Sequence, residues 1–351
     1  MTNKIYFLME SFAGMGDLMC QKNFIINLFK NVDQQYDLIL SSVVPRTYDF
    51  AISLFSDMDN VIVTQEQYTN ITEKNKFDFC IKIHYGIIFD KVNFSSIKDK
   101  VLMTKLLNLY KASKNYENRN IPQYAATLLN FERAKKWGNN FYTVYNYNNL
   151  NIIQDQHVNI PLIQQYENTL KMLPFYHEKY ITITTDCGEY INGTHAKLWP
   201  LEKWEKLLSM IKDRYPFVKI VQIEATENNK INTNIDYNLL GKHIEYAKHV
   251  LNKSILHIST EGGMVHLASQ LNTKCAVLFG QSPIHFYGYK NNINIQVGEC
   301  QGCMNLSKHI ALCAKNMKKP TCMYSITPEI VMNNIIKYLD EKLEVTTDDK
   351  I

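Results

Sequence analysis

The chain has 351 residues, 46% of them hydrophobic and 21% charged, which is the balance of an ordinary globular protein. At roughly 150 residues per domain, this length predicts two domains, each large enough for its own hydrophobic core. The net charge of +4 is too small for a nucleic-acid-binding domain, so no nucleic-acid partner is expected. A mildly basic protein instead suits an acidic small ligand or contact with an anionic membrane surface.

The amino-terminal residues do not predict a secretory signal. Only five apolar residues, 5–9, separate Lys4 from Glu10, whereas a signal needs about 7–15. No apolar run approaches the ~20 residues of a transmembrane helix. We therefore expect a soluble, cytoplasmic protein whose eight cysteines are mostly reduced.

The first half alternates between apolar strands and helices. Strands are predicted at 5–9, 38–40, 61–63 and 79–83, and a helix at 18–29. Continuous apolar strands of this kind indicate a parallel sheet covered on both faces. A helical stretch at 95–138 follows, and it is rich in basic residues: Lys98, Lys100, Lys105, Lys111, Lys114, Arg119, Arg133, Lys135 and Lys136. This stretch is either a solvated helical face or a site for an acidic or phosphorylated acceptor.

The alternation restarts after a segment, 139–178, that is rich in Asn, Gln and Tyr and shows weak periodicity. We place the interdomain linker near Pro174. Beyond it, strands are predicted at 180–184, 218–223, 254–258 and 275–279, and helices at 201–214, 264–271 and 328–343. The predicted organisation is an α/β domain at 1–173, a second at 174–327, and a terminal helix and tail at 328–351.

A glycine turn lies between the strand and the helix of the segment 257–268. Gly262 and Gly263 let the backbone approach a ligand closely, and the free amides at a helix start favour phosphate. In an open α/β sheet, a nucleotide diphosphate binds at this place, beyond the carboxyl ends of the strands. A tight turn without a ligand is the alternative.

Four cysteines have metal-ligand spacing. Cys300 and Cys303 form a Cys-x-x-Cys pair, and Cys313 and Cys322 follow after nine and eight intervening residues. Four thiolates suit a tetrahedral structural metal, with zinc the default, whereas disulfides are weaker candidates in a reducing compartment. The other cysteines are expected to be packing residues: Cys20, Cys80, Cys187 and Cys275.

Several motifs together resemble glycosyltransferase family 9, which contains the ADP-heptose:lipopolysaccharide heptosyltransferases. The segment from Gly263 to Ala268, with 277–280 and Pro283, resembles the donor-site signature of that family. The loop 11–17, the Lys-x-Trp-Pro segment at 197–204 and the segment 322–331 resemble further family motifs and occur in the same order. Residues 85–175 contribute almost nothing to this resemblance.

The resemblance implies the GT-B fold, with two Rossmann-like domains whose parallel sheets face each other across a cleft. It also implies inversion at the sugar's anomeric centre without a catalytic metal. The first domain would bind the acceptor and carry the base, and the second, with the cysteine loop 300–322, would bind the donor. Asp17 would be the general base that takes the proton of the acceptor hydroxyl. Its alternative role is to cap the first helix, which is compatible with the first.

The resemblance also supplies the donor-binding residues. Lys197 would contact the donor phosphates and offset the charge of the leaving group, although it could equally be an exposed lysine. Glu224 would hold the ribose hydroxyls unless it is an exposed loop residue, and His266 would contact the diphosphate unless it is structural. The rest of the set is Gly16, Glu261, Gly262, Gly263 and Met264. The family usually has Asp followed by Ser or Thr where Glu261 and Gly262 stand, so the donor phosphates or sugar would be held differently.

The expected function is transfer of a heptose or related sugar from a nucleotide-sugar donor, ADP-heptose, to a bacterial surface glycan. The acceptor would be an acidic or phosphorylated lipopolysaccharide, lipooligosaccharide or capsule, reached from the inner face of the inner membrane through a peripheral contact. Some family members share the cysteine pattern, and protein heptosyltransferases bind iron there, so iron is an alternative to zinc. The competing hypotheses are a protein O-heptosyltransferase, a nucleotide-sugar epimerase and a non-catalytic metal-binding adaptor.

Overall fold

The computed structural model describes residues 4–11, 14–74, 76–83, 86–114, 131–132, 134–146, 150–186, 188, 195–304, 306–307, 309 and 311–344. The chain divides into two compact units, Met1–Pro161 and Leu162–Ile351. This division precedes the linker expected near Pro174, because the helix Gln164–Leu170 packs against the helix Ile244–Lys253 of the second unit. Pro174 begins a short 3₁₀ helix, Pro174–His177, that leads into the first strand of that unit.

The first unit is a five-stranded sheet with helices. Its strands are β1 (Ile5–Ser11), β2 (Tyr36–Ser41), β3 (Val61–Val63), β4 (Phe79–Ile83) and β5 (Ile87–Lys91). Its helices are α1 (Met15–Phe29), α2 (Pro45–Leu54), α3 (Tyr68–Lys74) and α4 (Lys100–Lys114), with short 3₁₀ turns at Phe94–Ser96 and Phe141–Thr143. The strand order is β3-β2-β1-β4-β5, and all pairs are parallel except β4 with β5. The chain therefore changes direction across the sheet between β1 and β4.

Helix α4 forms the beginning of the basic stretch predicted at 95–138. One of its faces is buried through Leu102, Leu106 and Leu109, as an amphipathic helix requires. Lys105 is not free for a ligand, because its Nζ donates hydrogen bonds to the carbonyls of Asn27, Leu28 and Lys30 at the end of α1. Residues 115–130 and Arg133 lie outside the described residues.

The second unit is a six-stranded, fully parallel sheet. Its strands are β6 (Tyr180–Thr184), β7 (Lys219–Glu224), β8 (Tyr237–Leu240), β9 (His257–Thr260), β10 (Cys275–Leu278) and β11 (Ile293–Ile295). Its helices are α5 (Gln164–Leu170), α6 (Leu201–Arg214), α7 (Ile244–Lys253), α8 (Gly263–Gln270), α9 (Ile284–Tyr287), α10 (Thr321–Tyr324) and α11 (Pro328–Leu343). The strand order is β11-β10-β9-β6-β7-β8, so the chain changes direction between β6 and β9.

Two tryptophans lie in the hydrophobic core of the second unit. Trp199 and Trp204 are completely buried, with ring centroids 4.9 Å apart in an edge-to-face arrangement. The indole of Trp199 donates a hydrogen bond of 3.0 Å to the carbonyl of Ile326. Helix α11 packs on α6 in the same core, and an Arg214–Asp340 ion pair of 2.7 Å joins these two helices.

The prediction of an α/β protein with parallel sheets is confirmed. The predicted strands all exist, although β9 begins at His257 rather than at residue 254. Sequence reasoning missed β5, β8 and β11, which are edge strands of three to five residues. Within the described part of the chain, no helix is both long and apolar enough to cross a lipid bilayer.

Candidate active site

The loops that follow the central strands of the second unit carry most of the predicted donor-binding residues. Parallel strands place their carboxyl ends at one edge of the sheet, and a ligand binds there where the strand order reverses. In this unit the reversal lies between β6 and β9. Thr185, Glu224 and Glu261 stand at the carboxyl ends of β6, β7 and β9, and Ser282 lies shortly beyond β10. The fold thus gathers these side chains at its natural ligand-binding edge.

A buried ion pair lies at this edge. The Nζ of Lys197 contacts Oε2 of Glu261 directly and donates to the Glu261 main-chain carbonyl at 3.4 Å. Burial alone would raise the pKa of Glu261, but the charge of Lys197 and the contact with His266 outweigh it and hold the pKa below its usual value. The carboxylate is therefore ionised at neutral pH. Lys197 is 8% exposed, so the alternative of an exposed lysine is wrong.

Three further side chains complete the surroundings of Glu261. The hydroxyl of Ser282 donates a 2.5 Å hydrogen bond to Oε2, and Nε2 of His266 lies 3.5 Å from Oε1. The other ring nitrogen of His266, Nδ1, is 2.7 Å from the hydroxyl of Tyr289. Sequence reasoning named His266 and missed Ser282, although Ser282 follows the strand adjacent to β9 and could have been found from the strand order.

The predicted glycine turn lies between β9 and α8. Gly262 is the N-cap residue of α8, and Gly263 and Met264 are its first two residues. A Cβ built on Gly262 would meet no atom of the described residues within 4 Å, so these residues leave space beside this backbone. The turn therefore leaves room for a ligand next to the first amides of the helix.

Glu224 is a buried residue with one unsatisfied oxygen. Its Oε1 accepts hydrogen bonds from the amide of Thr185 at 2.7 Å and from Gln222 at 2.8 Å, and also from the Thr185 hydroxyl. Its Oε2 is buried and has no hydrogen-bond partner among the described residues. Burial raises the pKa of Glu224, although the hydrogen bonds partly counteract this effect. The exposed-loop alternative is wrong, since Glu224 is the last residue of β7 and 6% exposed.

The cysteine segment is attached to both sides of this site. The amides of Gly302 and Met304 donate to the carbonyls of Gly280 and Gln281 at 3.2 and 2.8 Å. On the other side, the amide of Ala196 donates to the carbonyl of Ala311 at 2.8 Å. The segment is thus hydrogen-bonded to the backbone directly before Lys197 and directly before Ser282.

This segment contains the four cysteines with metal-ligand spacing. Cys313 and Cys322 are buried, and Cys300 and Cys303 are half-buried. Burial raises the pKa of Cys322 to about 11, and the other three thiols add to the shift because they lie close enough to repel its charge. In the part of the chain that the structure describes, no group of three or more His, Cys, Asp or Glu side chains is arranged to hold a metal ion. Cys20, Cys80 and Cys275 are buried packing residues as expected, whereas Cys187 lies outside the described residues.

Asp17 lies in the first unit, in the first turn of α1. Its Oδ2 accepts a 3.1 Å hydrogen bond from the amide of Gly14, which occupies the N-cap position. The alternative that Asp17 is itself the N-cap is wrong, because Asp17 lies three residues after the N-cap, at the N3 position. Its carboxylate nevertheless stabilises the start of the helix. Asp17 is exposed and Gly16 is buried. Helix α1 follows β1, beside the point where the strand order of the first sheet reverses.

The sequence profile of glycosyltransferase family 9 (heptosyltransferase) matches residues 85–313. The chain belongs to this family. The match includes the Lys197 segment, the glycine turn and three of the four cysteines, and it begins in the region 85–175 where no motif was recognisable. No curated protein sequence matches this family 9 member.

Solved structures share its fold. E. coli ADP-heptose lipopolysaccharide heptosyltransferase II is 14% identical, with a TM-score of 0.60, over 97% of this chain and 100% of that one. The family 9 glycosyl transferase of Veillonella parvula DSM 2008 is 14% identical, with a TM-score of 0.62, over 96% and 98%. TibC of enterotoxigenic E. coli H10407, an iron-containing dodecameric glycosyltransferase, is 13% identical, with a TM-score of 0.61, over 96% and 77%. The predictions of the GT-B fold and of a glycosyltransferase enzyme are confirmed.

Proposed function

We propose that this family 9 glycosyltransferase transfers a heptose or related sugar from a nucleotide-sugar donor, ADP-heptose, to an acceptor hydroxyl with inversion. The observation that carries the proposal is the buried Lys197–Glu261 pair beside the glycine turn, at the edge where the strand order reverses. This arrangement offers one ammonium and a set of helix amides to a diphosphate. The relative TibC has also been crystallised with ADP-D-β-D-heptose.

The donor would be held through three contacts in the second unit. The amides of Gly263 and Met264 and the ammonium of Lys197 would bind the diphosphate, with His266 beside them. The ribose hydroxyls would donate to the unsatisfied Oε2 of Glu224, which removes the cost of burying that oxygen without a partner. As the sugar leaves, charge develops on the nucleoside diphosphate, and Lys197 would offset it. Gly16 completes the donor-binding set that the family resemblance implies.

Asp17 would act as the general base. The acceptor oxygen forms a bond to the anomeric carbon while the bond from that carbon to the diphosphate oxygen breaks. The electron pair leaves with the nucleoside diphosphate, and the hydroxyl proton passes to the Asp17 carboxylate. The exposed position of Asp17 leaves its carboxylate accessible to an acceptor. The first unit would thus bind the acceptor and the second the donor.

The acceptor we propose is an acidic or phosphorylated bacterial surface glycan, such as lipopolysaccharide, lipooligosaccharide or capsule. Helix α4 supports this class, because its exposed residues include Lys100, Lys111 and Lys114 and its sequence contains no acidic residue. The same lysines suit a peripheral contact of a cytoplasmic enzyme with the anionic inner face of the inner membrane. Such a contact would weaken with salt.

Cys300, Cys303, Cys313 and Cys322 would hold a structural metal. Four thiolates are soft ligands of the kind that zinc and iron accept. The spacing of the four cysteines in the sequence and the iron of TibC support this part of the proposal. The metal would stabilise the segment that supports the donor site and would take no part in the transfer.

A binding and transfer experiment tests the proposal. A thermal-shift screen against ADP, UDP, GDP, CMP and ADP-heptose should show stabilisation by ADP and more by ADP-heptose. Asp17→Asn should keep this binding and lose transfer of labelled heptose to a heptose-deficient lipopolysaccharide. The exposed Asp59→Asn serves as the control and should keep both. Stabilisation by UDP or GDP alone would refute the heptose donor, and normal transfer by Asp17→Asn would refute the base.

A further inference from the structure

The buried charges around Glu261 balance only in the absence of a ligand. Lys197 contributes one positive charge and Glu261 one negative charge, and the two side chains are in direct contact at 10% and 4% exposure. A nucleotide-sugar diphosphate brings two further negative charges. If the donor binds here, as the proposed function holds, the Lys197 ammonium and the uncharged amides at the start of α8 must serve three negative charges. A proton taken up beside Glu261 would reduce this excess of negative charge.

His266 is placed to accept that proton. Its Nε2 faces Oε1 of Glu261 at 3.5 Å, and its Nδ1 lies 2.7 Å from the hydroxyl of Tyr289. A neutral imidazole donates from one nitrogen only, whereas an imidazolium donates from both. The Tyr289 hydroxyl can rotate to accept, and the Glu261 carboxylate already faces the other nitrogen. The protonated ring would therefore find both of its partners without any rearrangement of the site.

A second histidine beside the pair, His195, cannot take this role. His195 accepts a 3.0 Å hydrogen bond from the amide of Lys197, and burial together with the Lys197 charge lowers the pKa of His195 to about 3. It therefore stays neutral. Ser282 does not titrate, but its 2.5 Å hydrogen bond keeps Oε2 of Glu261 in place when the lysine moves away.

We propose that donor binding draws one proton from solvent onto His266, so that Lys197 can turn from Glu261 to the diphosphate. The imidazolium then faces the Glu261 carboxylate through Nε2 and the Tyr289 hydroxyl through Nδ1. Tyr289 and Ser282 are positioning residues in this process: the first holds the ring of His266, and the second holds the carboxylate. Donor affinity is accordingly coupled to pH through the second unit itself.

Calorimetry measures this coupling directly. ADP-heptose is the appropriate probe because its diphosphate is a diester and does not titrate near neutrality, unlike the terminal phosphate of ADP. Titrations at pH 8 in HEPES and in Tris, which differ in ionisation enthalpy, give the number of protons taken up. We expect uptake approaching one proton per donor bound, and an affinity that falls with rising pH by up to about tenfold per unit.

Variants assign the proton to its residue. His266→Gln and Glu261→Gln should each abolish uptake, the first by removing the acceptor and the second by removing the charge that requires it. Tyr289→Phe should reduce uptake, because Nδ1 loses its partner. His177→Gln is the matched control and should leave uptake unchanged, since His177 precedes β6 at the opposite edge of the sheet. Binding without uptake, or uptake that persists in His266→Gln, would overturn this inference alone. Absence of ADP-heptose binding would overturn the proposed function as well.

Discussion

Removing the lysine from the buried ion pair should destabilise the second unit strongly. Lys197→Met keeps the length of the side chain but leaves Glu261, 5% exposed, without its cation. Removing one partner of a buried pair costs about 3–5 kcal/mol, because the remaining charge stays buried. We expect the lower end, about 3 kcal/mol, since Ser282 and His266 still contact the carboxylate.

The loss of stability should depend on pH. In the wild type the pKa of Glu261 is lowered, so its stabilisation is present above its ordinary value and is lost as the pH falls. In Lys197→Met the lowering by the lysine charge is lost, so the pKa of Glu261 lies higher than in the wild type. The folded variant then holds the proton more tightly than the folded wild type does. Its deficit should therefore be smaller near pH 4 than at pH 8.

Urea denaturation followed by tryptophan fluorescence suits this measurement, because two of the three tryptophans, Trp199 and Trp204, lie in the core of the second unit. The double variant Lys197→Met/Glu261→Gln is the matched control. Its neutral amide can keep the contact with Ser282, so at least half of the lost stability should return. The reasoning is refuted if Lys197→Met costs less than about 1 kcal/mol at pH 8, or if the double variant is no more stable than the single one.

Three further changes give separate tests. Gly280→Ala should cost about 1–3 kcal/mol of unfolding free energy, because its Cβ would lie 2.5 Å from Met323 Sδ. Gly262→Ala, whose Cβ meets nothing within 4 Å among the described residues, should keep the urea midpoint of the wild type and weaken ADP-heptose binding. Equal urea midpoints for the two variants would contradict this argument. Burial lowers the pKa of His257 from 6.5 to about 3, so the folded protein binds that proton more weakly than the unfolded chain, and stability is lost as the pH falls below about 6.5. His257→Gln should therefore reduce the dependence of the unfolding free energy on pH below about 6.5, as measured by urea denaturation. An unchanged pH dependence would exclude His257 as its cause. Cys313→Ser should lower the metal content measured by mass spectrometry, whereas the buried Cys275→Ser should not, and full metal in Cys313→Ser would remove it from the ligand set.

The sequence alone determined the class of fold and its main elements. Runs such as 79–83 and 180–184 are rich in apolar and β-branched residues because strands of a covered parallel sheet are largely buried on both faces, and β4 and β6 have these bounds. Helix α6 was equally readable, since Pro200 and the spacing of its apolar residues mark its start and its buried face. Edge strands carry a weaker signal: β8, with the sequence Tyr-Asn-Leu-Leu, is short and only partly buried, so its residues need no clear pattern.

The candidate site was predictable residue by residue but not as an arrangement. Local sequence marked Lys197 and Glu261 separately, through a resemblance to known motifs. Only the tertiary structure joins them, because they are 64 residues apart and meet where loops before α6 and after β9 reach the same edge of the sheet. Burial then decides their chemistry: it turns an ordinary lysine and glutamate into an ion pair, and the fold adds Ser282 as a partner of Glu261 and Tyr289 as a partner of His266. Such contacts depend on strand order and side-chain exposure, and these are properties of the folded chain that neighbouring residues in the sequence do not encode.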